Sequence, residues 1–270
     1  MDKISSNAYV QVASRGCNHS FVATSDGVVM IDTPMFPDDA AKWREEIAKF
    51  GPVRYLINTE PHGDHVSGNC FFEGIGVAHE GTRNAILDST VEQYRDMLKR
   101  MGGPESTVPD GFEYRAPAIT FSEKLTFYLG NHTFELIHLP GHSPFQLCVF
   151  VPEEKVAFTS DNVTNATPPF MHQALPNDWL NSLRELQKLE ADRFVPGHGP
   201  VCGKDYLGVM HNIIQGAVEV VTSSIKQGLS LEEAQQKVSL YGDRFPKNER
   251  LAMVQHMGIA RLYEVLKSSV

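Results

Sequence analysis

Apolar and polar positions alternate with a period of two through "AYVQVAS", "HSFVATS" and "GVVMIDT" in the first part of the chain. That period is the mark of half-buried strands, and Asp26-Gly27 between the last two runs marks a hairpin. The period then changes. In "DDAAKWREEIAKF" the residues Ala41, Trp43, Ile47 and Phe50 recur at helical spacing. Arg54–Ile57 reads as a buried strand, residues 80–101 as one helical stretch, and "GGPESTVPDG" as the loop that ends it. From residue 118 the strand pattern returns in "AITFS", "KLTFYL", "HTFELIHL", "FQLCVFV" and "KVAFTS". "NDWLNSLRELQKL" predicts a helix capped by Asn177, and the short strand "RFVP" leads into Gly197-His198-Gly199.

The remainder reads as three helices. Ser230 and Glu233 form a capping box for the middle one, and Leu251, Val254, Gly258, Leu262 and Val265 mark a buried stripe on the last. Two β-rich halves, each followed by helices, predict two sheets packed face to face with helices outside, an α+β sandwich rather than an alternating sheet. The expected division is a domain over residues 1–202 and a helical extension over 203–270 packed on it.

Composition narrows the function. At 270 residues and 41% hydrophobic the chain can bury a large core. Its 24 basic against 33 acidic residues, a formal charge of −9, speak against a nucleic-acid partner or an anionic membrane surface. Runs such as "LCVFV" are too short to span a bilayer. The N-terminal stretch has no apolar signal core, and the four cysteines form no CxxC pair. A cytoplasmic protein with reduced thiols is the expectation.

The chemistry concentrates in "NTEPHGDHVSGN", where Glu60, His62, Asp64 and His65 crowd the end of a strand. "HLPGHSP" (His142), "AFTSDNV" (Asp161) and "FVPGHGP" (His198) put further donors on segments that follow strands, and "VMIDTP" adds Asp32. Asp64 alone would pass for a helix cap, but beside His62 and His65, and echoed by three later segments, it reads as a ligand. Without Asp32 these are seven nitrogen and oxygen donors and no sulfur, a set suited to Zn, Mn or Fe. Seven exceed the needs of one catalytic ion and suit two. GxSxG, dinucleotide and P-loop fingerprints are missing from the sequence.

"TEPHGDH" resembles the HxHxDH signature of the metallo-β-lactamase superfamily, and the "PGH", "SD" and "PGHG" segments follow in that family's order. The resemblance covers roughly residues 7–202. It implies an αββα sandwich of two mixed sheets with a metal site at their edge. Glu60, His62 and His142 would hold one ion, Asp64, His65 and His198 the other, and Asp161 would bridge them, with Asp32 supporting the ligands from behind. It also implies hydrolysis by a metal-bridging hydroxide, with Asp64 handling a proton, on a small ester, lactone, amide or activated aryl substrate. The alternatives within the fold are a non-haem di-iron oxidoreductase and a β-lactam hydrolase. A member that has lost its metal is disfavoured, since at most one ligand is altered.

Three positions depart from the family pattern: Glu60 replaces the usual His, Phe145 a small residue, and Ser160 the Gly before the bridging Asp. The glutamate leaves two divalent ions with three carboxylates, a less positive centre that admits Mn or Fe beside Zn. Phe145 and His172, the latter in the irregular "TPPFMHQALPN", are expected to line the substrate pocket. The helical tail could cap that pocket or support a homo- or hetero-oligomer.

Overall fold

A computed structural model describes residues 1–103 and 105–268. The first sheet is built from β1 (Asp2–Lys3), β2 (Ala8–Gln11), β3 (His19–Thr24) and β4 (Gly27–Ile31), an antiparallel run. After α1 (Pro37–Ala48) the chain adds β5 (Val53–Asn58), and after the short α2 (Gly63–Val66) it adds β6 (Ile75–His79). α3 (Glu80–Leu87) and α4 (Val91–Gly102) then lead to β7 (Ile119–Phe121), and β4 to β7 pair in parallel. The second sheet is an antiparallel meander of β8 (Lys124–Leu129), β9 (His132–His138), β10 (Leu147–Val151) and β11 (Val156–Thr164). α5 (Pro176–Lys188) crosses over to β12 (Arg193–His198), which pairs in parallel with β11. Three helices follow: α6 (Asp205–Lys226), α7 (Leu231–Lys237) and α8 (Glu249–Lys267).

The alternation read from the sequence becomes a layered core. Val10, Val22, Val29 and Ile57 of the first sheet pack against Phe134, Leu136, Val149 and Phe158 of the second. Each such side chain contributes roughly 1.5–3 kcal/mol through burial. Trp43 and Ile47 of α1 cover Phe21, Met30 and Leu56 on one outer face. On the other, Trp179 and Leu183 of α5, Met210 of α6 and Leu262 of α8 join Phe150 and Phe194 in one cluster. The result is helices, sheet, sheet, helices.

Four local readings need correction. The stretch 80–101 is two helices, because Thr90 and Gln93 form a capping box that starts α4 afresh. β7 joins the first sheet beside β6 rather than opening the second. Pro176 occupies the first turn of α5, so the helix starts before Asn177, which caps nothing. Asp161 lies within β11 rather than on a loop after it. The strand runs on through register shifts around Ser160, whose φ is +49°.

Candidate metal centre

The C-terminal ends of β4, β5 and β12, the turn after β9 and the irregular part of β11 meet at one edge of the sandwich. β5 runs straight into Thr59 and Glu60, and the extended backbone of His62 starts α2, placing Asp64 and His65 in its first turn. Asn162 Nδ2 donates to the Leu139 carbonyl and its Oδ1 accepts from the His142 amide at 2.9 Å, which pins the PGH turn onto β11. Asn18 donates to the carbonyls of Pro196 and Gly199 and so fixes the His198 turn to the first sheet. Gly197 is required there, because an added Cβ would overlap the Asp161 carboxylate.

All seven expected donors come together. Ligand atoms of Glu60, His62 and His142 lie within 4.8 Å of one another, as do those of Asp64, His65 and His198. Asp161 stands between the groups: its Oδ1 is 3.5 Å from His65 Nε2, and its Oδ2 is 3.5 Å from His142 Nε2 and 3.4 Å from His198 Nε2. Asp32 sits behind the cluster, accepting from His65 Nδ1 at 2.9 Å, from the Thr59 amide at 2.8 Å and from the Thr59 hydroxyl at 2.6 Å. His62 Nε2 meets Gln173 Oε1 at 3.2 Å, which turns Nδ1 inward.

The arrangement fits cations better than it fits itself. Glu60 and His65 are fully buried, and Glu60 Oε2, His65 Nε2 and Asp161 Oδ1 make no well-directed hydrogen bond. The 2.6 Å approach of His62 Nδ1 to Glu60 Oε2 is a crowding of two ligand atoms rather than a hydrogen bond. A buried carboxylate oxygen left without a partner costs about 1–3 kcal/mol or more, a cost that a coordinated cation would remove.

Electrostatics agree. Burial opposes charge on every member, yet the carboxylates outweigh it at His62, raised to about 9 chiefly by Glu60, and at His198, raised to about 10 by Asp161 and Asp64. His65 is raised too, and Glu60, Asp64 and Asp161 are held below their usual range against burial by the surrounding imidazoles. Burial wins at His142, which is lowered, and at Asp32, which is raised. The same carboxylates that favour a proton on these imidazoles would favour a cation between them. Cys17 also approaches Asp32 and His65, but burial pushes its thiol up to about 12, and its Sγ lies 3.8 Å from the Thr33 carbonyl.

A cleft of about 410 Å³ opens beside His62, lined on its apolar side by Pro61, Ala85, Pro144 and Phe145 and elsewhere by Ser89, His172, Gln173 and Arg261. Phe145 is held in place by stacking on His79 at 5.2 Å and by the missing side chain of Gly81. His172 lies 5.0 Å from the His62 ring, and burial together with that neighbour lowers it to about 4, so it is neutral. Sequence reading missed Gln173 and Arg261. Arg261 comes from α8 and is held by the Ala174 carbonyl at 3.1 Å and Glu264 at 3.1 Å. No local signal marks it, since only the packing of α8 brings it there. A second depression, between the start of α5 and the end of α8, contains none of the clustered donors.

The sequence pattern of the metallo-beta-lactamase superfamily matches residues 14–198. A linear primary-alkylsulfatase of Pseudomonas sp. is 22% identical over 264 residues, covering 81% of this chain and 49% of the relative. The metallo-beta-lactamase type 2 of Elizabethkingia meningoseptica is 24% identical over 229 residues, covering 79% and 83%. Among solved structures, a metallo-beta-lactamase family protein from Thermus thermophilus superposes with a TM-score of 0.70 at 17% identity, covering 97% of this chain and 94% of that one. A stereoselective inverting sec-alkylsulfatase from Pseudomonas sp. reaches 0.74 at 14% identity, covering 97% of this chain and 49% of that one. The chain therefore spans about half the length of the alkylsulfatases it matches. Among the described residues no helix is long and apolar enough to cross a membrane. With this pattern over most of its length, and this fold, the chain belongs to the metallo-beta-lactamase superfamily.

Proposed function

We propose that the protein is a binuclear metal-dependent hydrolase of a small ester, lactone, amide or activated aryl substrate. The observation that carries this reading is the convergence of seven imidazole and carboxylate groups, several with a buried atom that has no partner, beside an open cleft. Glu60, His62 and His142 would hold one ion, and Asp64, His65 and His198 the other, with Asp161 between them. Zinc suits the imidazoles, while Glu60 also admits manganese or iron. Divalent ions held by these residues would supply Lewis-acid chemistry, making water acidic enough to attack near neutral pH, with a pKa of about 7.

The chain's own groups do the rest. Phe145 and Pro144 seat an apolar body, and neutral His172 and Gln173 border the same space. Asp64, whose Oδ2 lies 3.3 Å from His198 Nε2, is the group to which this reading gives the proton that passes to the leaving group. Arg261 is the one guanidinium in the lining and favours a substrate with an anionic group.

That guanidinium, with the likeness to two alkylsulfatases, supports a second reading, hydrolysis of a sulfate monoester. The test has two stages. Metal content of the undialysed full chain and of Glu60→Ala comes first: two equivalents in the wild type support the binuclear reading, and iron would redirect it to redox chemistry. Zinc- or manganese-loaded protein is then assayed on an alkyl sulfate, an acyl thioester, a lactone, an aryl ester and a β-lactam. Turnover of none would overturn the hydrolase reading.

A further inference from the structure

Glu60 and Ser160 are one hundred positions apart and touch: the Ser160 hydroxyl donates to Glu60 Oε1 at 3.1 Å, with both side chains buried. Each is unusual in a different way. Ser160 holds a φ of +49°, left-handed backbone that glycine adopts freely and that a side chain resists. It also immediately precedes Asp161, so that conformation aims the strand's carboxylate at the cluster. A serine kept where glycine would relieve the backbone points to a use for its hydroxyl, and its hydrogen-bond partner is Glu60.

Glu60 in turn faces both groups of donors. Its Oε2 lies 2.6 Å from His62 Nδ1 and 3.6 Å from His142 Nε2, while its Oε1 lies 3.3 Å from His65 Nε2. The same carboxylate thus belongs to one ligand triplet with His62 and His142 and to another with His65 and Asp161. A histidine in its place would have one inward nitrogen and could serve only one of them.

We infer that Glu60 is a second bridging carboxylate, giving one oxygen to each metal position, and that Ser160 is the positioning residue that holds it across them. The inference rests on reading the cluster as a metal centre. Two bridging carboxylates draw the ions together, lower the net charge between them, and favour ions that prefer oxygen.

The test titrates Zn²⁺ and Mn²⁺ into chelator-stripped full chain, with affinities from competition against a chromophoric chelator and stoichiometry by mass spectrometry of the metals. In Glu60→Ala both ions should bind at least about tenfold more weakly, whereas a ligand to one ion would leave the other unchanged. Ser160→Ala and Ser160→Gly both remove the hydroxyl and differ in backbone strain. Both should weaken binding alike, while the glycine variant melts about 2–4 °C above the alanine one without metal. In a Glu60→Ala background, Ser160→Ala should change affinity no further, because the carboxylate it positions is gone. Wild-type affinity in Ser160→Gly would mean that only the backbone bend matters and would overturn the positioning role. Loss of a single ion in Glu60→Ala would overturn the bridge. Wild type that loads no ion at all would instead sink the metal-centre reading itself, a distinct result, and this inference with it.

Discussion

Asp32 accepts a hydrogen bond from His65 Nδ1 at 2.9 Å, and both side chains are buried. That bond places the proton on Nδ1 and leaves Nε2, which faces Glu60 and Asp161, as the lone pair for a ligand. Asp32 also holds a φ of +55°, a conformation that asparagine tolerates. Asp32→Asn should therefore keep the fold but lower metal affinity about 10–100-fold. Competition titration checks this, and an unchanged affinity would show that His65 needs no such orientation.

Chelation should destabilise the protein. The metal-free cluster leaves Glu60 Oε2 and Asp161 Oδ1 buried without good partners. An ion at about one hundred times its dissociation constant adds ~2.7 kcal/mol. A chelator should thus lower the melting temperature by several degrees, and returning Zn²⁺ or Mn²⁺ should restore it, while Mg²⁺, which favours all-oxygen sites, should not. Scanning fluorimetry distinguishes the cases.

Arg261 predicts a split between substrates. With one of its nitrogens facing neither Ala174 nor Glu264, it can meet an anionic group in the cleft. Arg261→Met should raise KM about tenfold or more for a substrate bearing a carboxylate or sulfate and leave a neutral ester within about twofold. Equal losses on both would assign Arg261 to holding the 165–175 segment instead.

Acid should weaken the fold at a point far from the cluster. Glu154 accepts from Ser5 Oγ at 2.6 Å, from the Asn7 amide at 2.8 Å, from Asn7 Nδ2 at 2.8 Å, and from His132 Nε2 at 2.8 Å. Burial opposes its charge, yet these donors lower it from 4.5 to about 2. Because the folded value is the lower one, the stabilisation is complete above pH 4.5 and is lost as pH falls toward 2. Glu154→Gln should cost ~1.5–3 kcal/mol at pH 7. The gap between wild type and variant should narrow below pH 4.5 in denaturant titrations; a gap that stays constant down to pH 3 would refute this account.

Much of this architecture follows from local pattern. "HSFVATS" and "GVVMIDT" are legible as strands, but β3 and β4 are buried largely on both faces, one side against the second sheet and the other under α1. His62, Asp64 and His65 lie within one turn of chain, so their nearness is set locally, although His62 joins one group of donors and Asp64 and His65 the other. The Thr90 capping box was also legible in the letters, although the apolar spacing across residues 80–101 hid it.

Other relationships exist only once the sheets have packed. β7 could pair with either sheet by its composition, and its place beside β6 depends on the long connection after α4. Ser160 reads as a mere substitution until a left-handed turn in β11 carries its hydroxyl to a glutamate on the other sheet. Arg261 reads as an exposed helix residue until α8 packs beside the 165–175 segment and brings it to the cleft. Periodicity is a property of neighbours along the chain, so the sequence determined the elements and the short-range donors. Which distant side chains meet is set by how those elements bury their apolar faces against one another, and that only the tertiary structure decided.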